Sequence, residues 1–228
     1  LSETRILRDW RVDEFDAATL FAEWEEASPT PTELNPDQMF RDDYREALKE
    51  KRRRQSAIAF HYGVDWGFSP DPTAGIRCFY SPDERTLYID FEYFATAVAV
   101  DKLAAELVEA LPGIEHSSEV RGDNSRPELV DKIRRDGVRG LKSCGKWSGS
   151  VLDGIDHLKA RSIIVHPRCV HVAEELSRYA YKIEKHTERV LNQPADGFDH
   201  CIHALRYGTE PHIKGKRHRY QVLRTSFM

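Results

Sequence analysis

Three short stretches of this 228-residue chain carry residue types that could do chemistry together. "HYGVDWGFSPDP" sets Asp65 inside a short apolar run, and "RGDNS" sets Asp123 after one. "DGFDHCIHALRYG" gathers Asp199, His200 and His203 where a helical pattern starts. Asp is a poor strand former, and an unpaired buried charge is costly. A lone Asp in such a setting more commonly serves a turn or a cap. Carboxylates drawn together from different strands repel, however, and at neutral pH they need a cation. Hard oxygen donors suit Mg²⁺ or Mn²⁺. Two such ions about 4 Å apart can activate a water and stabilise the leaving oxygen in phosphodiester hydrolysis.

The elements that must position these residues follow from periodicity. "AFHYGVDWGF" and "TAGIRCFYS" read as strands joined by a Pro-containing turn, and "TLYIDFEYFAT" as a third. "AVDKLAAELVEALPG" has apolar residues at helical spacing and ends at Pro112–Gly113. "SSEVRGDNS" predicts a strand ending in Asp123. "RPELVDKIRRDG" predicts a helix opened by Pro127 and closed by Gly137. "VRGLKSCGK" and "SIIVHPRC" read as further strands, with "SVLDGIDHLKARS" a helix between them. "VHVAEELSRYAYKI" is a helix, alone or running into a strand, and "DGFDHCIHALRYG" is the closing helix. Three strands followed by alternating strands and helices predict an α/β fold, with a mixed central β-sheet flanked by helices on both faces. The expected division is a linker and N-terminal extension with an inserted helical segment over 1–58, a main domain over 59–210, and a basic tail over 211–228. Strict alternation in the third strand would place Asp90 and Glu92 on one face, opposite Ile89 and Phe91. Glu92 then either faces the carboxylate site or belongs to a solvated strand face.

Composition narrows the partners. The net charge of −4 argues against a strongly basic nucleic-acid binder. Contact with a polyanion would be local, through Lys142, Lys146 and the tail residues Lys214 and Lys216 meeting phosphates. No apolar run approaches the roughly 18 residues of a membrane span. The chain starts without Met and without a signal peptide's apolar stretch, which suggests a fragment of a longer, non-secreted polypeptide. Cys78, Cys144, Cys169 and Cys201 lack CxxC spacing, a pattern that fits reduced cytosolic thiols.

From Gly63 to Gly208, six stretches stand in a distinctive order: "GVDWGFSPDPTAGIRCFY", "LYIDFEYF", "RGDNSRPELVDKIRRDG", "GKWSGSVLDGIDHLK", "IIVHPRCVHVAEELSRYAYK" and "DHCIHALRYG". The ordered set resembles the C-terminal nuclease domain of large terminase subunits, the motors that package viral DNA in tailed bacteriophages. The resemblance implies an RNase H-like fold over 59–210 and a two-metal acidic site that cuts double-stranded DNA. It also implies an ATPase domain upstream in the full-length chain, a small terminase subunit and a portal protein as partners, and the infected host's cytoplasm as the location. No GxxxxGK[ST] occurs in this chain, which agrees with an excised nuclease portion.

Carried over by position, Asp65 matches the family's first-strand metal ligand and Asp123 its second. Lys146, in "GKWSGS", resembles a family lysine that could hold the scissile phosphate. The family's closing helix shows a His, then an Asp three residues later. Here those positions hold His200 and His203. Three completions of the site are open. His203 could ligate as a neutral imidazole, which favours Mn²⁺ over Mg²⁺. Asp199 or Asp196 could supply the carboxylate instead. Or the site is impaired, leaving a structural or docking module of the motor. Another RNase H-like nuclease, of resolvase or RNase H type, shares the acid-bearing strands and stands as the alternative enzyme reading.

Overall fold

The computed structural model describes residues 4–26, 45, 59–67, 70–184, 186–195, 197 and 199–213. Lys214, Lys216 and Asp196 lie outside the described residues. The strands are β1 (Trp10–Val12), β2 (His61–Asp65), β3 (Thr73–Tyr80), β4 (Thr86–Ala95), β5 (Val120–Gly122), β6 (Leu141–Ser143), β7 (Ser162–Val165), β8 (Tyr181–Ile183) and β9 (Val190–Pro194). The helices are α1 (Ala17–Glu26), α2 (Leu103–Ala110), α3 (Pro127–Arg135), α4 (Ser150–Lys159), α5 (Val170–Arg178) and α6 (His200–Gly208).

Seven strands form one sheet in the order β1-β7-β4-β3-β2-β5-β6. β3 runs antiparallel to β2 and β4, while the β1–β7, β7–β4, β2–β5 and β5–β6 pairs are parallel. The sheet is therefore mixed, with β3 alone reversed. β8 and β9 pair separately as a two-stranded antiparallel ribbon. The three opening strands and the later strand–helix alternation stand where periodicity places them. Every residue of β2 and β3 is buried, so both central strands are covered on both faces.

Alternation divides the core in two. Ala74, Ile76, Cys78 and Tyr80 of β3 join Ile155 and Leu158 of α4, Leu176 of α5 and Ile202, Ala204 and Leu205 of α6. On the other face, Tyr62 and Val64 of β2 join Leu103 and Leu107 of α2 and Leu129, Val130 and Ile133 of α3. Burying aliphatic side chains of this size stabilises by roughly 2 kcal/mol each. In α3, Pro127 stands in the first turn, where the missing N–H costs nothing. α1 lies on the α2–α3 face, with the Phe21 ring 4.9 Å from Phe79 and the Phe15 ring 5.1 Å from Tyr88.

The stretch expected as linker thus contributes an edge strand: Trp10, Arg11 and Val12 pair with Ile163, Ile164 and Val165. β4 departs from strict alternation. Its pairing with β3 shifts register between Arg77 and Cys78, opposite Phe91 and Ile89, so Asp90 is the extra residue of a bulge. Asp90 therefore turns to Arg77, whose Nε and Nη2 donate to it at 3.0 and 2.5 Å. Glu92 instead lies on the opposite face and accepts hydrogen bonds from the His171 and Val172 backbone N–H groups at 3.0 and 2.9 Å. The two acids do not share a face, because the inserted residue breaks the period of two.

Candidate metal-binding and hydrolytic site

Asp65 ends β2, and Asp123 directly follows β5. Val64 pairs with Gly122, and the Asp123 N–H donates to the Val64 carbonyl at 2.9 Å. The two acids therefore stand side by side at the carboxyl ends of parallel strands, their backbones about 4.8 Å apart. Both side chains point to the face covered by α6. Gly63, two residues before Asp65, meets that helix directly: a Cβ there would lie 1.8 Å from the Ala204 carbonyl oxygen. Trp66 turns the other way, and its Nε1–H donates to the Asp123 carbonyl at 2.9 Å. The indole thus fixes the loop from behind while its neighbour's carboxylate faces forward.

Each carboxylate has a cationic or proton-donating neighbour. His200, first residue of α6, puts Nδ1 3.0 Å from Asp65 Oδ2. That hydrogen bond, opposed by partial burial, raises the His200 pKa above the ordinary imidazole value. Asp123 Oδ2 accepts from the Ser125 hydroxyl and, at 3.3 Å, from the Ser125 backbone N–H. The Lys146 ammonium lies 3.4 Å from Asp123 Oδ1. Burial works against the charge on Asp123, but Ser125 and Lys146 together outweigh it, and the carboxyl titrates below its usual range. Asp199 Oδ2 lies 3.3 Å from His203 Nε2, one turn along the helix. Burial dominates at His203 and lowers its pKa despite that carboxylate.

The fold therefore brings Asp65, Asp123, His200 and Lys146 to one place, with the Asp199–His203 pair on the adjoining turn. Lys142 sits in β6 beside Arg121, and its ammonium goes to Glu119 at 2.9 Å. The charge of Asp65 is shared locally, by the His200 imidazole.

Other participants leave little mark in the sequence. Ser125 orients Asp123. Glu210 is buried and accepts from the Gly145 N–H at 2.6 Å, anchoring the loop that presents Lys146. Glu175, on α5, accepts from the Ile202 N–H at 3.1 Å in the first turn of α6, and its burial raises its pKa. The Tyr207 hydroxyl is raised by burial and by the charges of Asp65 and Asp123. These contacts join elements remote in the chain, which local spacing does not encode. Only Ser125, two residues after Asp123, offers a local cue.

Among the described residues, no group of three or more His, Cys, Asp or Glu side chains is already drawn together closely enough to hold a metal ion. The donor set nevertheless suits a hard divalent cation. Two carboxylates stand at adjacent strand ends, an imidazole adjoins one of them, and the buried Oδ1 of the other is faced by the half-exposed Lys146 ammonium at 3.4 Å, a cation that a divalent ion could displace.

Comparison with known proteins adds ancestry to this geometry. A family profile described as "Terminase RNAseH like domain" matches residues 65–210. The PBSX phage terminase large subunit of Bacillus subtilis (strain 168) is 30% identical over 127 residues, covering 55% of this chain and 28% of that protein. The terminase large subunit of Bacillus phage SPP1 is 27% identical over 157 residues, covering 67% of this chain and 36% of that one. The chain spans about a third of the length of these relatives. Among solved structures, the large terminase (g2p) nuclease domain of bacteriophage SPP1 with bound Mn matches with a TM-score of 0.65. That match has 20% identity and covers 90% of this chain and 97% of the other. Large terminase from a thermophilic bacteriophage matches with a TM-score of 0.52 at 20% identity, over 65% of this chain and 38% of that one. The sheet and its flanking helices have the RNase H-like fold of these domains.

Proposed function

Since the chain belongs to the terminase RNase H-like domain family, we propose that it is the metal-dependent endonuclease portion of a phage DNA-packaging terminase, cutting concatemeric double-stranded DNA. The observation that carries the reading is the placement of Asp65 and Asp123 side by side on one face, with His200 bonded to the first. Residues 59–210 would carry the nuclease together with the β1 edge strand at Trp10–Val12, the rest of 1–58 standing as an N-terminal extension and 211–228 as a basic tail. Asp65, Asp123 and His200 would hold Mg²⁺ or Mn²⁺, two ions in the full site, with Asp199 and His203 completing it. The bound ions would supply Lewis acidity and lower the pKa of an attacking water.

The chain's own residues do the rest. Asp65 and Asp123 concentrate negative charge at one edge of the sheet, where a divalent cation is favoured over a single ammonium. His200 fixes the orientation of the Asp65 carboxylate. Lys146, more than half exposed and next to Asp123, is placed to meet a phosphate oxygen as DNA approaches. Lys142 is a weaker contact, because Glu119 already shares its charge. Lys214 and Lys216 add phosphate contacts from the tail. Such contacts give salt-sensitive affinity with little sequence preference.

The proposed partners are double-stranded DNA, an ATPase domain upstream in the full-length chain, and the small terminase subunit and portal of the motor. The proposed location is the cytoplasm of the infected bacterium. Among the described residues, no helix is long and apolar enough to cross a membrane. The test is plasmid nicking in Mn²⁺, with Asp65→Ala as the control. The parent should convert supercoiled to open and linear DNA, and the variant should not. A parent that leaves the plasmid intact, or a variant as active as the parent, overturns the reading. Preference for branched DNA or for RNA–DNA hybrids would point to a resolvase or RNase H instead.

A further inference from the structure

α6 begins in an unusual way. Asp199 occupies its N-cap position, and Asp is among the residues best suited to cap a helix through its own side chain. Yet the Asp199 side chain makes no capping hydrogen bond. Its Oδ2 lies instead 3.3 Å from His203 Nε2, on the same end of the helix as His200 and Asp65. The open N–H groups are served from elsewhere. Glu175, only 3% exposed on α5, accepts from the Ile202 N–H at 3.1 Å. A buried carboxylate at a helix start is stabilised by the unpaired amides and the helix dipole.

The same device appears one layer earlier. Glu92 of β4 accepts from the His171 and Val172 N–H groups at the start of α5. A carboxylate on the sheet thus fixes α5, and a carboxylate on α5 fixes α6. The last link in the series is His200, whose Nδ1 meets Asp65.

We infer that Glu175 is a positioning residue that caps α6 in place of Asp199, leaving the Asp199 carboxylate available to the metal site. The metal half of this inference rests on the proposed nuclease reading, whereas the capping half does not. If Glu175 were absent, Asp199 would be the nearest side chain able to take over the vacant amides, and it would turn away from His203 to do so. Glu175 then acts on the ions only through the direction in which Asp199 faces.

A double-mutant cycle on the 228-residue chain separates the two halves. Parent, Glu175→Ala, Asp199→Ala and the double variant are compared for thermal midpoint and for Mn²⁺ dissociation constant, the latter from the free-Mn²⁺ resonance signal. Asp199→Ala in the parent should weaken Mn²⁺ binding by about tenfold or more, with little change in midpoint. Glu175→Ala should weaken Mn²⁺ binding similarly, in the range of about 10–100-fold seen for residues that orient ligands. In the Glu175→Ala background, Asp199→Ala should lower the midpoint by several degrees, as cap removal does in a domain of this size, with no further loss of Mn²⁺. Glu175→Gln, which keeps one acceptor oxygen, should restore both values most of the way to the parent's.

Equal midpoint losses for Asp199→Ala in both backgrounds would overturn the capping inference. Additive losses in Mn²⁺ affinity would overturn its link to the metal. A parent that binds no Mn²⁺ would remove the nuclease reading and that link together, and the midpoints alone would then decide the cap.

Discussion

The two ends of the α6–β2 pair use histidine in opposite ways. At one end His200 stands 3.0 Å from Asp65, and that hydrogen bond raises the pKa of the imidazole. At the other, His61 opens β2 and has its Nε2 3.2 Å from that of His212, just beyond α6. Tyr80 and His157 close this second group, with the Tyr80 hydroxyl 2.8 Å from His157 Nε2. Burial dominates there, His212 adds to it, and Glu119 and Glu84 oppose it too weakly, so the His61 pKa falls to about 3. The same side chain on the same strand–helix pair is thus a carboxylate's partner with a raised pKa at one end and a neutral packing group at the other. What differs is a carboxylate within hydrogen-bond reach. That contrast locates the chemistry: an acid at the carboxyl end of β2 makes a site, and rings at the amino end make core.

The sharpest way to break the contrast is to remove the acid. Asp65→Asn should lower the Mn²⁺-supported nicking rate by at least about 100-fold, at or beyond the upper end for residues that merely orient ligands. Initial rates on supercoiled plasmid would measure this, and a change of only a few-fold would place the chemistry elsewhere.

The histidine end makes the next largest prediction, in stability. Unfolded His61 takes up a proton near pH 6.5, and folded His61 only near about 3. Between those values the unfolded chain binds more protons, so this group lowers stability as pH falls through the window, by about 1.4 kcal/mol for each pH unit. Urea midpoints from pH 7 to pH 4 should therefore fall more steeply for the parent than for His61→Phe. For His200 the sign reverses. Its pKa is raised on folding, so its contribution is present in full below the unfolded value and fades as pH rises through the folded one.

Two smaller effects sharpen the acidic end. Lys146→Ala removes an exposed cation from Asp123, and should slow cutting by about tenfold, roughly one charge-assisted contact. The rate loss should shrink as salt rises, because phosphate attraction is screened. His203→Asp should raise the Mg²⁺-supported rate by a few-fold, since oxygen suits Mg²⁺ better than imidazole does. No gain in Mg²⁺ would mean that Asp199 already supplies the oxygen donor.

Much of this arrangement is legible in the sequence, and the exceptions have physical causes. Asp65 and Asp123 can be found because each follows a short apolar run with a glycine nearby, and strand ends are where sheets gather polar groups. β1 escapes recognition because three residues with Arg at the centre carry too little pattern to mark a strand. Asp90 and Glu92 fall on one face only if the ladder is unbroken, and the bulge at Asp90 reverses every position after it. Glu175 is invisible for a different reason. It sits on one helix and serves another, so nothing near it in the chain records what it does.

One contact from the fold governs how tightly all of this closes. At Gly63 the strand and α6 touch backbone to backbone, and a Cβ on Gly208 would lie 2.9 Å from the Gly63 nitrogen. Histidine is a short lever. It spans the gap to Asp65 only because no side chain at either crossing point props the helix away from the sheet. The reach of the imidazole is therefore set by two missing methyl groups. Adding one would leave every polar residue in place and pull the machinery apart.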